Sequence, residues 1–259
     1  MKVEVLVATM HQTDYSLLKK MNIQTDAIIV NQCDNTGYFE FEYKGSHIIW
    51  VNTCQRGLSK SRNMALSYAS GDICLLADDD IIYVDDYKES VLNAFRDSPN
   101  ADVIAFNTCT INTPQKSNRK AIARNKKSKK NKYYGSVRLA FRLIKIQKYA
   151  LRFNELLGAG AKYGSGEESL ILREARKRGL RVYENKAYIA KVDYSTSTWF
   201  KGYDEEYYFN KGVFLAAAYG KMAFFYKWYF ILQSRKISKL SVSVVNNSIK
   251  KGMQEYKNL

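Results

Sequence analysis

The sequence predicts an α/β protein with a mostly parallel sheet flanked by helices. Short runs of β-branched and apolar residues recur along the first hundred residues, and helical patterns separate them. Strands that alternate with helices at this spacing form βαβ units, which bring their strands together in parallel. The last third of the chain is aromatic and helical in character, which predicts a helical C-terminal extension.

The elements of the first hundred residues follow in order. The runs VEVLVAT, DAIIVNQ, HIIWVN, DICLLA and ADVIAFNT are predicted strands, because Val, Ile and other apolar residues dominate them. The runs DYSLLKKM, LSKSRNMALSYAS and VDDYKESVLNAFRDS are predicted helices. The second helix places Met64, Ala65, Tyr68 and Ala69 on one face and ends at Gly71.

The second half of the chain is divided by a basic segment. Residues 115–132 lack apolar periodicity, so we expect a mobile loop. One or two strands, a glycine-rich turn, a helix from about Glu168 to Arg178 and the strand RVYENKAYIAKV follow. We therefore expect one domain over residues 1–197 and the helical extension over residues 198–259.

The composition limits the possible functions. The formal charge of +16 favours polyanionic partners such as nucleic acid, phosphorylated molecules or an anionic membrane. The four cysteines form no C-x-x-C pair and there are only two histidines, so neither a disulfide framework nor a zinc site is expected. The N-terminus begins directly with a strand pattern, and we expect no signal peptide and a cytoplasmic location.

Three aspartates directly follow the predicted strand DICLLA. Asp78, Asp79 and Asp80 would lie at the carboxyl end of this strand, the edge at which parallel sheets bind ligands. Carboxylates there suit Mg²⁺ or Mn²⁺, which prefer oxygen ligands and share them with phosphates. A solvated acidic turn is the alternative, because a D-x-D spacing is common by accident.

Two further segments carry polar residues at predicted helix starts. Gly57 precedes a helix with Lys60 and Arg62 in its first turns, which suits a phosphate group but also an ordinary basic surface helix. Glu167 and Glu168 open a helix after the glycine-rich run GAGAKYGSG. Acidic residues stabilise a helix start, but this capping role does not explain the glycines, and a general base at the edge of a pocket is the functional interpretation.

Together these segments resemble the family 2 glycosyltransferases. The strand ending at Ala8–Thr9, the run RGLSKSRNMALSYASGDICLLADDD and the run GSGEESL occur in the family's order and at roughly its spacing. The resemblance covers about residues 2–192. The run STSTWFKGYDEEYYFNKG also looks like a segment that follows the catalytic domain in some bacterial members. The resemblance implies the GT-A fold, with residues 1–197 as the catalytic domain that binds a nucleotide sugar.

The resemblance also implies roles for residues that bind the donor. Asp78 and Asp80 would match the D-x-D motif that holds the metal, with Asp80 as the direct ligand and Asp78 nearer the ribose. Asp78 and the intervening Asp79 would also bind the donor. The other implied donor-binding residues are Ala8, Thr9, Asn31, Gln32 and Asp34 near the base and ribose, and Lys60 and Arg62 near the diphosphate. The family's acidic D-D-G-S-like turn is replaced here by NQCD, so it stays open which residue of 31–34 takes that role.

The catalytic base and the acceptor site follow from the same comparison. The family's E-D pair becomes Glu167–Glu168, and the second position is the family's base, which makes Glu168 the candidate. Glutamate is one methylene longer than aspartate, so Glu167 stays a rival. Gly166 and Trp199 are candidates for contact with the acceptor, although Trp199 and Phe200 could equally be packing residues.

The resemblance therefore implies an inverting, metal-dependent enzyme of polysaccharide or glycolipid assembly. Its cofactor would be Mn²⁺ or Mg²⁺. Its donor would be a nucleotide-diphosphate sugar, with uracil the commonest base in the family, and its acceptor a glycan or a sugar on a polyprenyl diphosphate. The lysines and aromatics of KMAFFYKWYFILQSRKISK suggest peripheral association with the inner face of the membrane, or else a helical hairpin packed on the catalytic domain.

Two functions from other classes compete. A nucleic-acid-binding protein would explain the net charge, but no RRM, KH, OB or helix-turn-helix signature accompanies it, so we expect no nucleic-acid partner. A nucleotidyltransferase also uses paired aspartates and a metal. Such an enzyme would normally carry a glycine-rich loop after the first strand, and VATMHQTDY contains no glycine.

Overall fold

A computed structural model describes residues 1–111, 121–193, 202–235 and 237–259. The strands are β1 (Val3–Met10), β2 (Asp26–Gln32), β3 (Gly37–Tyr43), β4 (Ser46–Thr53), β5 (Ile73–Asp78), β6 (Ile81–Tyr83), β7 (Val103–Thr110), β8 (Lys126–Lys127), β9 (Leu139–Arg142) and β10 (Val182–Val192). The helices are α1 (Ser16–Lys20), α2 (Leu58–Tyr68), α3 (Tyr87–Asp97), α4 (Leu143–Lys148), α5 (Glu167–Lys177), α6 (Glu205–Tyr219), α7 (Ala223–Ser234) and α8 (Val242–Lys257). Short 3₁₀ turns cover Ser136–Arg138 and Gly220–Met222.

The strands of the described residues form one sheet in the order β3-β4-β2-β1-β5-β9-β7-β10-β6, with β8 paired to β10. The strands β4, β2, β1, β5, β7 and β10 run in the same direction, and β3, β9, β6 and β8 run against them. The predicted α/β class with a mostly parallel sheet is therefore confirmed.

Helices cover both faces of the sheet and bury two apolar clusters. One cluster takes Leu17 and Leu18 of α1 and Val91 and Phe95 of α3. The cluster on the other face takes Ala65 of α2, Ile146 of α4, and Ile171 and Leu172 of α5. The central strands contribute apolar side chains to both clusters, because both faces of the sheet are covered by helices. These strands therefore read as continuous apolar runs rather than as alternating apolar and polar residues.

The predicted strands and helices of the first hundred residues are all present, and β3 and β6 are further strands there that were not predicted. β3 pairs antiparallel with β4 at the sheet edge, and most of its side chains are at least partly exposed, so GYFEFEY gives no buried apolar run. β9 lies where one or two strands were predicted after the basic segment, but its antiparallel position between β5 and β7 was not predicted. That position depends on pairing between distant parts of the chain, which a four-residue strand does not reveal in its sequence.

The helix α2 buries a different face from the predicted one. Met64 is partly buried and Tyr68 is exposed, while Ser59, Arg62 and Asn63 are buried beside Ala65. Ser59, Arg62 and Asn63 each bond to residues outside α2. Asn63, for example, donates to the carbonyl of Phe153 at 3.0 Å. The apolar pattern failed here because α2 packs its polar face against the site.

The basic segment was expected to be a mobile loop over residues 115–132. Residues 115–120 lie outside the described parts of the chain. Beyond them Ile122 is buried, and β8 pairs with β10. Lys126 and Lys132 both form ion pairs with the buried carboxylate of Glu184. These pairs explain why part of a strongly basic segment is held against the sheet.

The C-terminal helices form a third apolar cluster. Val213 and Leu215 of α6 and Val245 and Ile249 of α8 pack there with Leu157 of the glycine-rich turn. Along the stretches that the structure covers, no helix is both long enough and apolar enough to cross a membrane. The domain boundary near residue 197 stays a prediction, because residues 194–201 lie outside the description.

The helices α6 and α8 cross at two glycines. A Cβ atom on Gly212 would overlap the carbonyl oxygen of Ile249, and one on Gly252 would overlap the carbonyl oxygen of Phe209. Backbone atoms cannot move aside as the end of a flexible side chain can. The two helices therefore approach each other so closely only because both positions lack a side chain.

We expect Gly252→Ala to lower the free energy of unfolding by about 2 kcal/mol or more, because the added methyl forces the helices apart. Alanine in a freely exposed helix would instead stabilise by about 1 kcal/mol over glycine, so the sign is diagnostic. Thermal and urea unfolding measure the change. Asn247→Ala at an exposed position of α8 is the control, with an expected change within about 0.5 kcal/mol.

Candidate active site

The carboxyl ends of four parallel strands form one polar edge. Thr9 of β1 lies beside Asn31 of β2, and Asn31 beside Asn52 of β4. On the other side of β1, Ala8 is in register with Asp78 of β5. Polar residues that are distant in the sequence therefore meet at the end of the sheet, as expected for parallel strands.

A chain of hydrogen bonds joins these strand ends. Asn31 donates to the side-chain oxygen of Asn52 at 2.9 Å and to the carbonyl of Gln12 at 2.9 Å. Gln12 then donates from Nε2 to the hydroxyl of Thr9 at 3.0 Å. His11 has a positive φ of 56°, which turns the chain after β1 so that Gln12 faces back to the strand ends. Sequence analysis missed Gln12 and Asn52 because neither belongs to a motif.

The three adjacent aspartates have three different environments. Asp78 accepts from Arg62 Nη2 at 2.9 and 3.2 Å, and Asp79 accepts from the hydroxyl of Thr9 at 2.6 Å. Asp80 Oδ1 is buried and has no hydrogen-bond partner among the described residues. A buried carboxylate oxygen without a partner is costly, so Asp80 is the aspartate with an oxygen available for a ligand.

The guanidinium of Arg62 is the centre of the ion pairs. Arg62 is 1% exposed, although it was predicted to lie near a diphosphate. Its Nη1 donates to Glu167 Oε1 at 2.9 Å, and its Nη2 also donates to Ser136 Oγ at 2.7 Å. Burial alone would lower the pKa of Arg62, but the charges of Asp78, Glu167 and Glu168 outweigh burial and raise it. Arg62 therefore stays charged and holds carboxylates from two elements together.

Glycines allow this close arrangement around the start of α5. Gly158, with φ of +118°, lies so close to Ser59 and Glu167 that a Cβ would come within 3.2 Å of Ser59 Oγ and 3.3 Å of the Glu167 carboxyl. Gly166 has φ of +113°, and a Cβ there would lie 2.5 Å from the ring of Phe214. The glycine-rich run is thus explained by the packing of α2, α5 and α6 against one another.

The two glutamates at the start of α5 differ in what they contact. Glu167 is 5% exposed, bonded to Arg62, and accepts from the backbone N–H of Gly166 at 3.1 Å. Glu168 is partly exposed. Burial and the charge of Glu167 raise the pKa of Glu168 to about 7, against the opposing effect of Arg62. Glu168 therefore carries the carboxyl group whose protonation changes near neutral pH.

Lys211 of α6 is a charged residue near this pair that sequence analysis missed. Its ammonium lies 5.1–5.6 Å from the ring centres of Tyr207, Phe214 and Phe230. Burial lowers the pKa of Lys211, and the charge of Glu168 opposes this effect. The run STSTWFKGYDEEYYFNKG contains Lys211, but the approach of Lys211 to α5 depends on how the C-terminal helices pack against the rest of the chain.

The remaining predicted donor-binding residues have mixed positions. Ala8, Thr9, Asn31 and Gln32 are buried, and Gln32 Oε1 accepts from the backbone N–H of Gly57 at 2.7 Å. Asp34 is exposed and pairs with Arg56 Nη2 at 2.5 Å. Lys60 is partly exposed on α2. Trp199, proposed for the acceptor, lies outside the described residues.

The electrostatics of Asp80 predict a cost for its ionisation. Burial, and then the charges of Asp78 and Asp79, raise the pKa of Asp80 to about 6 from an ordinary value of 3.8. The folded protein thus binds this proton more tightly than the unfolded chain. The resulting loss of stability begins near pH 4 and is complete above pH 6.

We therefore expect Asp80→Asn to stabilise the protein in the presence of EDTA by about 1–3 kcal/mol above pH 7, because each pKa unit corresponds to about 1.4 kcal/mol. At pH 4 the gain should be small. Chemical denaturation at both pH values measures it. The exposed Glu42→Gln on β3 is the control and should show no such pH dependence. A destabilised Asp80→Asn protein at pH 8 would contradict this account.

Comparison with known proteins identifies the family. The profile of "Glycosyl transferase family 2" matches residues 8–157, which include the end of β1, α2 and the three aspartates and stop just before the glycine-rich run GAGAKYGSG. A comparison with curated proteins finds no match.

Solved structures share the fold. S. aureus TarS 1-349 in complex with UDP-GlcNAc matches with a TM-score of 0.60 and 16% sequence identity, covering 100% of this chain and 73% of that chain. The complex of the same TarS region with UDP matches with a TM-score of 0.59 and 15% identity, covering 100% of this chain and 72% of that chain. At such low identity the likeness is one of fold, and it agrees with the GT-A architecture.

The family profile spans more than half of the chain and includes the strand ends, the aspartates and the buried arginine described above. The chain belongs to glycosyl transferase family 2 and is a glycosyltransferase.

Proposed function

We propose that the protein transfers a sugar from a nucleotide-diphosphate donor, with a uridine nucleotide as the first candidate, to a hydroxyl group of a glycan or lipid-linked acceptor. The observation that carries the proposal is the buried Oδ1 of Asp80 at the polar strand ends, which has no hydrogen-bond partner within the described part of the chain. The family match supports a glycosyltransferase, and the TarS structures with UDP-GlcNAc and UDP support this donor by analogy.

A divalent cation, Mn²⁺ or Mg²⁺, fits the aspartates. Asp80 offers a buried carboxylate oxygen. Asp78 lies two residues away and forms an ion pair with Arg62. Among the described residues, no three or more His, Cys, Asp or Glu side chains cluster in a way that could hold a metal. Mg²⁺ usually binds through one or two carboxylates and takes further ligands from phosphates and water. When bound, the cation would stabilise the negative charge of the departing diphosphate.

The protein's own residues prepare the rest of the site. Arg62 is buried and bonded to Asp78 and Glu167, so we propose that it positions these carboxylates rather than binding the diphosphate directly. Lys60 of the same helix is partly exposed and is the better candidate for the diphosphate. Thr9 holds Asp79 and thereby fixes the backbone that carries Asp80.

Glu168 is the proposed general base. Because burial and the charge of Glu167 raise the pKa of Glu168, its carboxylate accepts a proton from an acceptor hydroxyl more readily than that of an ordinary glutamate. Glu167 is less suited, because its carboxylate is already bonded to Arg62. As the hydroxyl oxygen attacks the anomeric carbon, its proton passes to Glu168 and the diphosphate leaves from the opposite face. A single displacement inverts the anomeric configuration.

We further propose peripheral association with a membrane surface, which would bring the enzyme to a lipid-linked acceptor. The support is the outer surface of α7, where Phe225, Trp228, Tyr229 and Leu232 are 49–65% exposed. Aromatic and aliphatic side chains beside lysines favour the interface between water and lipid.

Binding of nucleotides tests the proposed donor. We expect calorimetry to detect binding of UDP in the presence of Mn²⁺, with affinity reduced at least tenfold in EDTA and in Asp80→Asn, because one metal ligand is lost. GDP, dTDP and CMP serve as comparisons. Equal binding of all four nucleotides with and without Mn²⁺ would contradict both the metal and the assignment of the donor.

Substitution of the glutamates tests the base. We expect Glu168→Gln to reduce kcat by about 10²–10⁴-fold with UDP binding retained, because general base catalysis contributes this much. Glu167→Gln should also lower the free energy of unfolding, because it weakens a buried ion pair.

The wild-type kcat/KM should rise with pH through about 7 as Glu168 loses its proton. Lys211→Met should move this rise to higher pH, since a neighbouring positive charge is lost. An unshifted profile would remove Lys211 from this role.

A further inference from the structure

The helix α7 has an inverted distribution of side chains. Ala223, Lys227, Ile231 and Ser234 form its buried side. Its exposed side carries the large apolar residues Phe224, Phe225, Tyr226, Trp228, Tyr229 and Leu232. A helix on a water-facing surface normally shows the opposite arrangement, with charge outside and apolar residues inside. The position of Lys227 on the buried side therefore needs an explanation.

Lys227 is 1% exposed and lies between α7 and α8. Its ammonium donates to Asn246 Oδ1 of α8 at 3.0 Å and lies 5.0 Å and 4.6 Å from the rings of Phe224 and Trp228. Among the described residues, no carboxylate forms an ion pair with it. Burial, and then the charge of Lys250, lower the pKa of Lys227, because both disfavour its positive charge. A bound anion would stabilise that charge.

A groove of about 410 Å³ opens beside this lysine. Its lining residues are Phe224 and Lys227 of α7, and Lys250, Lys251, Met253, Gln254 and Lys257 of α8. Four of the seven are lysines and none is acidic. Four cations around one groove repel one another, so the empty groove is electrostatically unfavourable and an anion would relieve the repulsion.

The groove and the exposed aromatic side of α7 are continuous. Phe224 lines the groove and is itself 53% exposed, and Trp228, against which the Lys227 ammonium lies, is 49% exposed. A ligand that fills the groove thus has apolar side chains directly beside its anionic group. A membrane lipid has this combination of a phosphate and an adjoining apolar region, whereas a soluble phosphate has only the first part.

We propose that the groove between α7 and α8 binds the phosphate of an anionic lipid headgroup, with Lys227, Lys250 and Lys257 around the phosphate and the aromatic side chains of α7 in the interface. This inference rests on the proposed membrane association and adds a defined binding site to it. Lys227 supplies a cation held in place by Asn246, and the exposed lysines of α8 supply the electrostatic attraction.

Sedimentation with lipid vesicles tests the site. The full chain is mixed with vesicles of phosphatidylcholine alone and with vesicles that also contain phosphatidic acid. The test variant is Lys250→Gln/Lys257→Gln, since both lysines are exposed and their loss should not disturb folding. The matched control is Lys88→Gln/Lys148→Gln, which removes two exposed lysines from α3 and α4. Lys227→Met is a further variant that removes the buried charge.

We expect the wild type to bind the vesicles that contain phosphatidic acid, the groove variant to bind them about tenfold or more weakly, and the control to stay within twofold of wild type. The tryptophan emission should shift to shorter wavelength on binding. The part of the emission that is absent from Trp228→Phe is the contribution of Trp228. Equal weakening in the groove variant and the control would overturn the site while leaving membrane association intact.

Two other outcomes separate the possible sources of the phosphate. If the wild type ignores both kinds of vesicle, the lipid site and the proposed membrane association are both wrong. The wild type could instead bind no vesicles while inorganic pyrophosphate in EDTA changes its Trp228 fluorescence and leaves that of the groove variant unchanged. The groove would then bind a soluble phosphate group, and the assignment to lipid would be overturned. Neither outcome bears on nucleotide binding at Asp80, which calorimetry tests separately.

Discussion

The buried guanidinium of Arg62 is the interaction on which the active site depends. It joins α2 to the end of β5 through Asp78, to the start of α5 through Glu167, and to the turn at Ser136. Removing one partner of a buried ion pair leaves a buried charge uncompensated, at a cost of about 3–5 kcal/mol. Because all four elements are held at one point, the relative positions of the aspartates and the glutamates follow from this side chain.

The hydrogen bonds and ion pairs also give neighbouring carboxylates different environments. Of the three aspartates, one is bonded to Arg62, one to Thr9, and one keeps a buried oxygen without a partner among the described residues. Of the two glutamates, Glu167 is bonded to Arg62, and Glu168 has its pKa raised to about 7. Asp78, Asp79 and Glu167 are held by hydrogen bonds and so fix the backbone. Their neighbours Asp80 and Glu168 are left in environments that disfavour a negative charge. Such strained electrostatics are expected at functional sites.

Much of the fold was predictable, because the central strands β1, β2, β4, β5 and β7 are apolar on both faces. The site was predictable where residues lie close in sequence, as at Asp78–Asp80 and at Glu167–Glu168. The burial of Arg62 was not, because it depends on partners 16 and 105 residues away. Lys211 and Gln12 were missed for the same reason: their positions are set by tertiary packing, which leaves no local pattern.

The glycine crossing of α6 and α8 has a consequence for recognising related chains. Gly212 and Gly252 are forty residues apart and must both lack a side chain for the backbones to meet. A chain that uses the same crossing has to satisfy the same steric condition at both positions, whatever the rest of its C-terminal sequence. The spacing of these two glycines therefore gives a sequence signature for this extension that is independent of the catalytic motifs.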